Sequence, residues 1–232
     1  MRRKLLPLTL ISAIAALIAV VTPTLVRAAD AGETVVPPAP TETINPHAGE
    51  PSADIVLAGG CFWCTELAME QVKGVTDVVS GYAGDVGANA KYSEVSYGRT
   101  KHAEVIKVTY DPSKVTLGEL FQAFFLIHHP TQANGQGPDI GKQYRPAIFY
   151  ADDAEKQAAE SYLEQLKAGD VYPDEIATKP EPLGDGFFPA EDYHQDYVAK
   201  NPNDRYVVTY AYPKVEKLKK YLPELLKDSA KE

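Results

Sequence analysis

The chain has 232 residues, 44% of them hydrophobic and 24% charged, with a formal net charge of −9. That composition supports one ordinary globular core and excludes a disordered or fibrous chain. The acidic balance repels phosphate backbones and anionic membranes, so no nucleic-acid partner is expected.

The amino terminus reads differently from the rest. Met1-Arg2-Arg3-Lys4 is a basic n-region, Leu5 to about Val26 is apolar, and Val26-Arg27-Ala28 offers a small-residue cleavage site. This is the pattern of a secretory signal peptide over 1–28, with an uncleaved membrane anchor as the alternative. Cleavage after Ala28 removes Arg2, Arg3, Lys4 and Arg27, leaving 19 basic against 32 acidic residues and a formal charge of −13. The expected location is exported, in a bacterial periplasm. Residues 29–52 carry Pro37, Pro38, Pro40, Pro46 and Pro51 with no apolar period, which predicts a flexible linker.

One folded domain is expected over 53–212, followed by a charged C-terminal helix or tail over 213–232. Asp54 to Ala58 predicts a buried strand closed by the Gly59-Gly60 turn, and Cys61 to Lys73 has helical spacing through Phe62, Leu67, Met69 and Val72. Val75 to Tyr82 and Glu104 to Tyr110 read as strands, the second placing Ile106, Val108 and Tyr110 on one face and Val105, Lys107 and Thr109 on the other. A helix follows over Leu117 to His128, a strand over Arg145 to Tyr150, and an amphipathic helix over Ala154 to Ala168 ended by Gly169. The spacing then predicts a strand over Ile176 to Leu183, a short helix over Glu191 to Lys200 and a terminal helix over Val215 to Lys227. Interspersed strands and helices point to an α/β (α+β) class, a two-layer mixed sheet with flanking helices.

The only cysteines are Cys61 and Cys64, three apart at the start of a predicted helix. A helix N-terminus favours negative charge, so Cys61 is the better placed nucleophile and a lowered thiol pKa is expected there. Cys64, one turn on, can reach it to form a reversible disulfide. A purely structural cystine closing so short a loop would remove little chain entropy. Zinc is disfavoured because a closed site needs four ligands and there is no second cysteine pair.

The stretch Gly59-Gly60-Cys61-Phe62-Trp63-Cys64-Thr65-Glu66 resembles the active-site motif of A-type peptide methionine sulfoxide reductases. The resemblance continues in order through Gly81-Tyr82-Ala83-Gly84, Tyr92-Ser93-Glu94-Val95, His102-Ala103-Glu104-Val105, His129-Pro130-Thr131-Gln132, Asp139-Ile140-Gly141-Lys142-Gln143-Tyr144-Arg145 and Ala190-Glu191-Asp192-Tyr193-His194-Gln195. It implies a catalytic domain of that fold, with Cys61 as the nucleophile that takes oxygen from methionine-S-sulfoxide, free or protein-bound. It further implies Glu104 as the acid, Tyr92 and Tyr144 as hydrogen-bond donors to the sulfoxide oxygen, and Phe62 and Trp63 as the pocket for the substrate methyl. Asp139 and His194 match polar residues lining the site. No prosthetic cofactor or metal is implied, only an external, thioredoxin-like thiol reductant, and a monomer is expected.

Three departures bear on mechanism. Cys64 stands where glycine is common, no cysteine occurs near the C-terminus to resolve a sulfenic acid, and Lys101, Asp85 and Asn134-Gly135 replace other customary residues. Cys64 is then the only intramolecular resolving candidate, with direct resolution by an external thiol as the alternative. The competing function is an exported thiol–disulfide oxidoreductase, which would explain the cysteine pair but would not require Glu104, Tyr92 and Tyr144 to converge on Cys61.

Overall fold

The computed structural model describes residues 34–231. The expected signal peptide and the first residues of the expected linker lie outside them. Among the described residues no helix is long and apolar enough to cross a membrane.

The main sheet grows from short apolar runs. β1 (Ala53–Ala58), β2 (Val75–Ala83), β3 (Ala103–Tyr110), β6 (Ala147–Tyr150), β7 (Lys179–Pro182) and β8 (Phe188–Pro189) form six strands in the order β7-β6-β1-β3-β2-β8. Every pairing is antiparallel except β6 with β7. β7 is shorter than the Ile176–Leu183 run because Pro180 and Pro182 cannot donate to a ladder, which also confines it to the edge. A two-residue hairpin, β4 (Gly135–Gln136) with β5 (Asp139–Ile140), stands apart from this sheet.

Strand alternation sorts the two faces. Ile55, Leu57, Tyr82, Ile106, Val108, Tyr110 and Ile148 join the main core with the helices, while Val56, Ala58, Ala83, Val105, Ala147 and Phe149 face a smaller cluster covered by Leu183 and Phe187. The same period-2 rule puts Glu104 on the helix-bearing face, two residues before Ile106.

That face carries α1 (Phe62–Glu70), α3 (Leu117–Ile127) and α4 (Asp153–Ala168), with short α2 (Tyr92–Val95) and α5 (Tyr197–Lys200) in the loops beside them. Thr116 and Glu119 exchange bonds in a capping box at the start of α3, the Thr116 hydroxyl accepting from the Glu119 amide at 3.1 Å and the Glu119 carboxylate accepting from the Thr116 amide at 2.8 Å. The helix expected over Glu191 to Lys200 is cut to α5, because Asp196 turns into the left-handed region and 191–196 forms turns.

The carboxyl end is part of the domain. A helical rod runs from Arg205 to Tyr221, with a π-turn over Val207–Ala211 leading into α6 (Tyr212–Tyr221). Pro213 has no N–H to offer the carbonyl four residues back, and the rod widens there. The helix therefore starts earlier than Val215 and stops at Tyr221, where Leu222 leaves helical geometry ahead of Pro223. Leu218, Leu222, Leu225 and Leu226 are buried, and the Lys73 amide donates to the Leu225 carbonyl at 2.7 Å.

The expected flexible linker is also corrected from Val35 onward. The Gln122 and Gln165 amides donate to the carbonyls of Pro37 and Ala39, the Tyr162 hydroxyl donates to Pro38, and Ile44 enters the core at 7% exposure. Gly118 lets the strap close, since a Cβ there would stand 2.8 Å from the Pro40 ring and 3.0 Å from Ile44. Prolines gave the segment a low hydrogen-bonding demand, so partner side chains on α3 and α4 suffice to hold it extended. Ile44→Ala is expected to cost about 2 kcal/mol, lowering Tm by roughly 4–8 °C in a thermal melt; a free tether would show no change.

Candidate active site

The site is built around the start of α1. Gly60 takes φ +92°, and a Cβ on it would lie 2.4 Å from Gln136, so glycine is needed both for the turn and for the close approach of the β4 hairpin. The turn leaves Cys61 at the N-cap of α1, 8% exposed, with Cys64 one turn later at 2%. Both thiols are free.

Glu104 reaches this helix end from β3. Its carboxylate accepts from the Phe62 amide at 3.2 Å, satisfying one of the donors a helix N-terminus leaves open. Glu104 is only 2% exposed. Burial pushes its pKa up to about 8, against the opposing pull of the Phe62 hydrogen bond and with Asp139 and Cys64 adding to the rise. At neutral pH this carboxyl keeps its proton. It is an acid placed beside a sulfur.

The tyrosines arrive from two loops. α2 carries Tyr92, whose amide donates to Glu191 at 3.0 Å, and burial raises its hydroxyl to about 12. A single 3-10 turn, Lys142–Tyr144, carries Tyr144. It is anchored by Arg145, which bonds Glu181 through two nitrogens at 3.0 and 2.9 Å and donates to the carbonyls of Lys101 and Lys142. Burial raises the Tyr144 hydroxyl as well, with Glu104, Asp139 and Cys61 contributing. Both phenols therefore stay protonated donors near Glu104 and Cys61.

The aromatic residues divide. Phe62 is fully buried against Tyr82 and His194, whereas half-buried Trp63 stacks on Tyr197 with ring centroids 3.7 Å apart and planes 8° from parallel. The Trp63 indole N–H donates to His194 Nδ1 at 3.2 Å, which assigns the histidine proton to Nε2. Burial lowers the His194 pKa and keeps the ring neutral. His194 thus braces Trp63 from behind. Glu191, to which sequence reasoning gave no role, accepts from the Tyr82 hydroxyl at 2.9 Å as well as from the Tyr92 amide, tying the substrate-side loop to β2.

A cavity of about 170 Å³ opens on the other cysteine, its walls including Cys61, Cys64, Gln136, Asp139, Tyr206 and Lys214. Glu104, Tyr92 and Tyr144 are not among its walls. The Tyr206 hydroxyl donates to Asp139 and stands within hydrogen-bond reach of both thiols. Tyr206 and Lys214 were missed from the sequence; their one signal is the run of aromatic and basic residues at 205–221.

The charge distribution overturns one expectation. Burial raises the Cys61 thiol well above its ordinary range, reinforced by the hydrogen bond to Cys64 and by Glu104. Cys64 is lowered, first by the Cys61 hydrogen bond and then, against burial, by Lys214 and Tyr206. In the substrate-free protein Cys64 is therefore the more acidic of the two thiols and Cys61 the more basic. The helix N-terminus at Cys61 is outweighed by burial first, and then by Cys64 and Glu104.

Among the described residues Glu66, Glu70 and Asp196 bring carboxylate oxygens within 4.8 Å of one another. Glu66 already accepts from the Ser80 hydroxyl at 3.0 Å and the Asp196 amide at 3.1 Å, so its oxygens serve as a brace under α1.

Comparison with known proteins decides the family. The family model for peptide methionine sulfoxide reductase matches residues 53–225. The chain belongs to this family. Among A-type relatives, peptide methionine sulfoxide reductase MsrA 2 of Mesorhizobium japonicum is 49% identical over 175 residues, covering 75% of this chain and 89% of that protein. MsrA 2 of a Synechocystis strain is 45% identical over 193 residues, covering 82% and 90%. The solved methionine sulfoxide reductase A of Corynebacterium diphtheriae superposes with a TM-score of 0.58 at 34% identity, covering 74% of this chain and 86% of that one. Reduced Mxr1 of Saccharomyces cerevisiae gives 0.61 at 37% identity, covering 67% and 88%. As a member of the family, the protein is a peptide-methionine-S-oxide reductase of the A type with a mixed sheet and flanking helices.

The buried acid has a thermodynamic signature. A carboxyl raised from 4.5 to about 8 holds its proton in the fold after the unfolded chain has released it, so stability is fully present below about pH 4.5 and is lost as pH rises toward 8. Glu104→Gln removes this titration. The Tm of the variant relative to the native protein is therefore expected to rise from pH 5 to pH 8; a difference flat in pH would mean that Glu104 ionises normally.

Proposed function

We propose that Cys61 reduces methionine-S-sulfoxide, in proteins or free, through a sulfenic acid that Cys64 converts to a disulfide, and that a thioredoxin-like dithiol restores the pair. The observation that carries this reading is the convergence at the start of α1 of a buried Glu104 raised to about 8 and a second, more acidic thiol on the same cavity wall as Cys61.

The Cys61 sulfur attacks the sulfoxide sulfur and passes its proton to Cys64, its hydrogen-bond partner. Glu104 donates a proton to the sulfoxide oxygen, with Tyr92 and Tyr144 available as further donors. Oxygen leaves methionine for Cys61, so methionine is reduced by two electrons and Cys61 becomes a sulfenic acid, the reversible rung of thiol oxidation. Trp63 offers its open face to the substrate methyl, with Phe62 fixing the backbone beneath it. Cys64 then displaces water from Cys61, and disulfide exchange with the external dithiol returns two thiols. The i, i+3 spacing on the first helical turn suits such a bond. The enzyme would serve repair of oxidised proteins as a monomer.

A mixture of dabsyl-methionine sulfoxide epimers with dithiothreitol tests the scheme. One epimer should be consumed, Cys61→Ser should abolish consumption, and Cys64→Ser should retain it, since losing Cys64 also relieves part of the rise in the Cys61 pKa. Glu104→Gln should slow the chemical step by about 10²-fold or more, and the native rate should fall above about pH 8 as Glu104 ionises. Consumption undiminished in Cys61→Ser would sink the mechanism.

We further propose export, supported by the basic n-region, the apolar run and the Val26-Arg27-Ala28 site. A bacterial periplasm is kept oxidising, so the reductant would itself be an exported dithiol protein. Intact-mass measurement on the chain from an envelope fraction should give a mature N-terminus at Ala29; a chain retaining Met1-Arg2-Arg3 would favour the anchor.

A further inference from the structure

The carboxyl-terminal rod delivers a cation to the sulfur cavity. Lys214 lies just past the π-turn, on a half-buried stretch of α6. A lysine in such a position ordinarily extends its stem and leaves the ammonium in water. Here the ammonium turns inward, donating to the carbonyl of Ile127 at the end of α3 and lining the cavity that contains Cys61 and Cys64. Among the described residues no carboxylate lies within ion-pair distance of it, although the chain carries 32 acidic residues. The cavity's own acid, Asp139, is taken by the Tyr206 hydroxyl.

We infer that Lys214 is a positioning residue for the resolving step, holding Cys64 as the thiolate that attacks oxidised Cys61. The inference rests on Cys64 being the resolving thiol. In that step the Cys64 sulfur forms the S–S bond while the Cys61 S–O bond breaks. The hydroxyl leaves as water with a proton drawn from the solvent-connected cavity. Cys64 is oxidised, Cys61 is reduced from sulfenic acid to disulfide, and no other electron carrier takes part.

The groups around Cys64 leave this charge to the rod. From α1 it faces Cys61, from β3 Glu104, and from β5 Asp139, none of them cationic. At the end of α3, burial lowers His128 to about 3 and lowers His129 as well, so neither ring is charged at neutral pH. Lys214 and, one turn further, Lys217 are the cations on the cavity wall. Lys214 itself is lowered by burial and raised back by Cys64, the reciprocal of its effect on the thiol.

The full chain with Cys61→Ser provides the test, its Cys64 ionisation followed by thiolate ultraviolet absorbance against pH. Adding Lys214→Met should raise the midpoint by about one unit or more. Lys214→Gln, which can still donate to the Ile127 carbonyl but is uncharged, should do the same, and Lys214→Arg should preserve the native midpoint. In the otherwise native chain given one equivalent of methionine sulfoxide and no reductant, Lys214→Gln should slow sulfenic acid to disulfide conversion. The expected slowing is roughly threefold at neutral pH, because the lost thiolate fraction is partly offset by the higher nucleophilicity of a more basic thiolate. The deficit should close at alkaline pH. A midpoint unmoved by both neutral variants overturns the role of Lys214. A native chain that accumulates sulfenic acid and never forms the disulfide overturns instead the role of Cys64 on which the inference rests.

Discussion

The contact between the Phe62 amide and the buried Glu104 carboxylate sets the geometry of everything around it. It joins the middle strand of the sheet to the first turn of α1, and so fixes the reactive sulfur relative to its acid. It also takes up a donor near Cys61, whose thiol is raised first by burial and then by Cys64 and Glu104. A helix N-terminus can favour an anion only through donors still free to turn toward it, and here one is committed to a carboxyl. The same burial that raises the thiol also raises the acid, so that Glu104 keeps its proton at neutral pH.

The remaining groups divide by which wall they build. Glu191, His194 and the turn that follows hold the aromatic wall: Glu191 ties Tyr82 and Tyr92 together, His194 accepts from Trp63, and the Gln195 carboxamide accepts from the Ser80 amide at 2.9 Å. The hairpin of β4 with β5 and the carboxyl-terminal rod build the cavity on the Cys64 side. The aromatic wall and the Cys64 cavity are thus built by different segments meeting at one helix end.

Much of this was legible in the sequence where period and chemistry agreed. The alternation of Val105, Ile106, Lys107 and Val108 placed β3 correctly and, extended by two residues, aimed Glu104 at the helix layer. The Gly59-Gly60-Cys61 turn announced a cysteine at a helix start. Errors arose where long-range packing overrode local signals. Residues 35–52 lack periodicity because they lie as a strap whose carbonyls are satisfied by side chains from α3 and α4, a demand invisible in the segment itself. Lys214 reads as one of several lysines on a charged helix, and only the π-turn before it brings its ammonium inward.

The unequal acidity of the two thiols bears on the proposed mechanism. A more acidic nucleophile would be populated as a thiolate but would attack more weakly, since nucleophilicity falls with pKa. On the proposed route, keeping the proton on Cys61 until its partner accepts it reserves a strong nucleophile for the moment of attack. Cys64 needs the opposite character. On the proposed route it must give up the proton it received before it attacks, and the Lys214 cation favours that release. The same proton thereby moves twice in one cycle of the proposed route, from Cys61 to Cys64 and then out through the cavity.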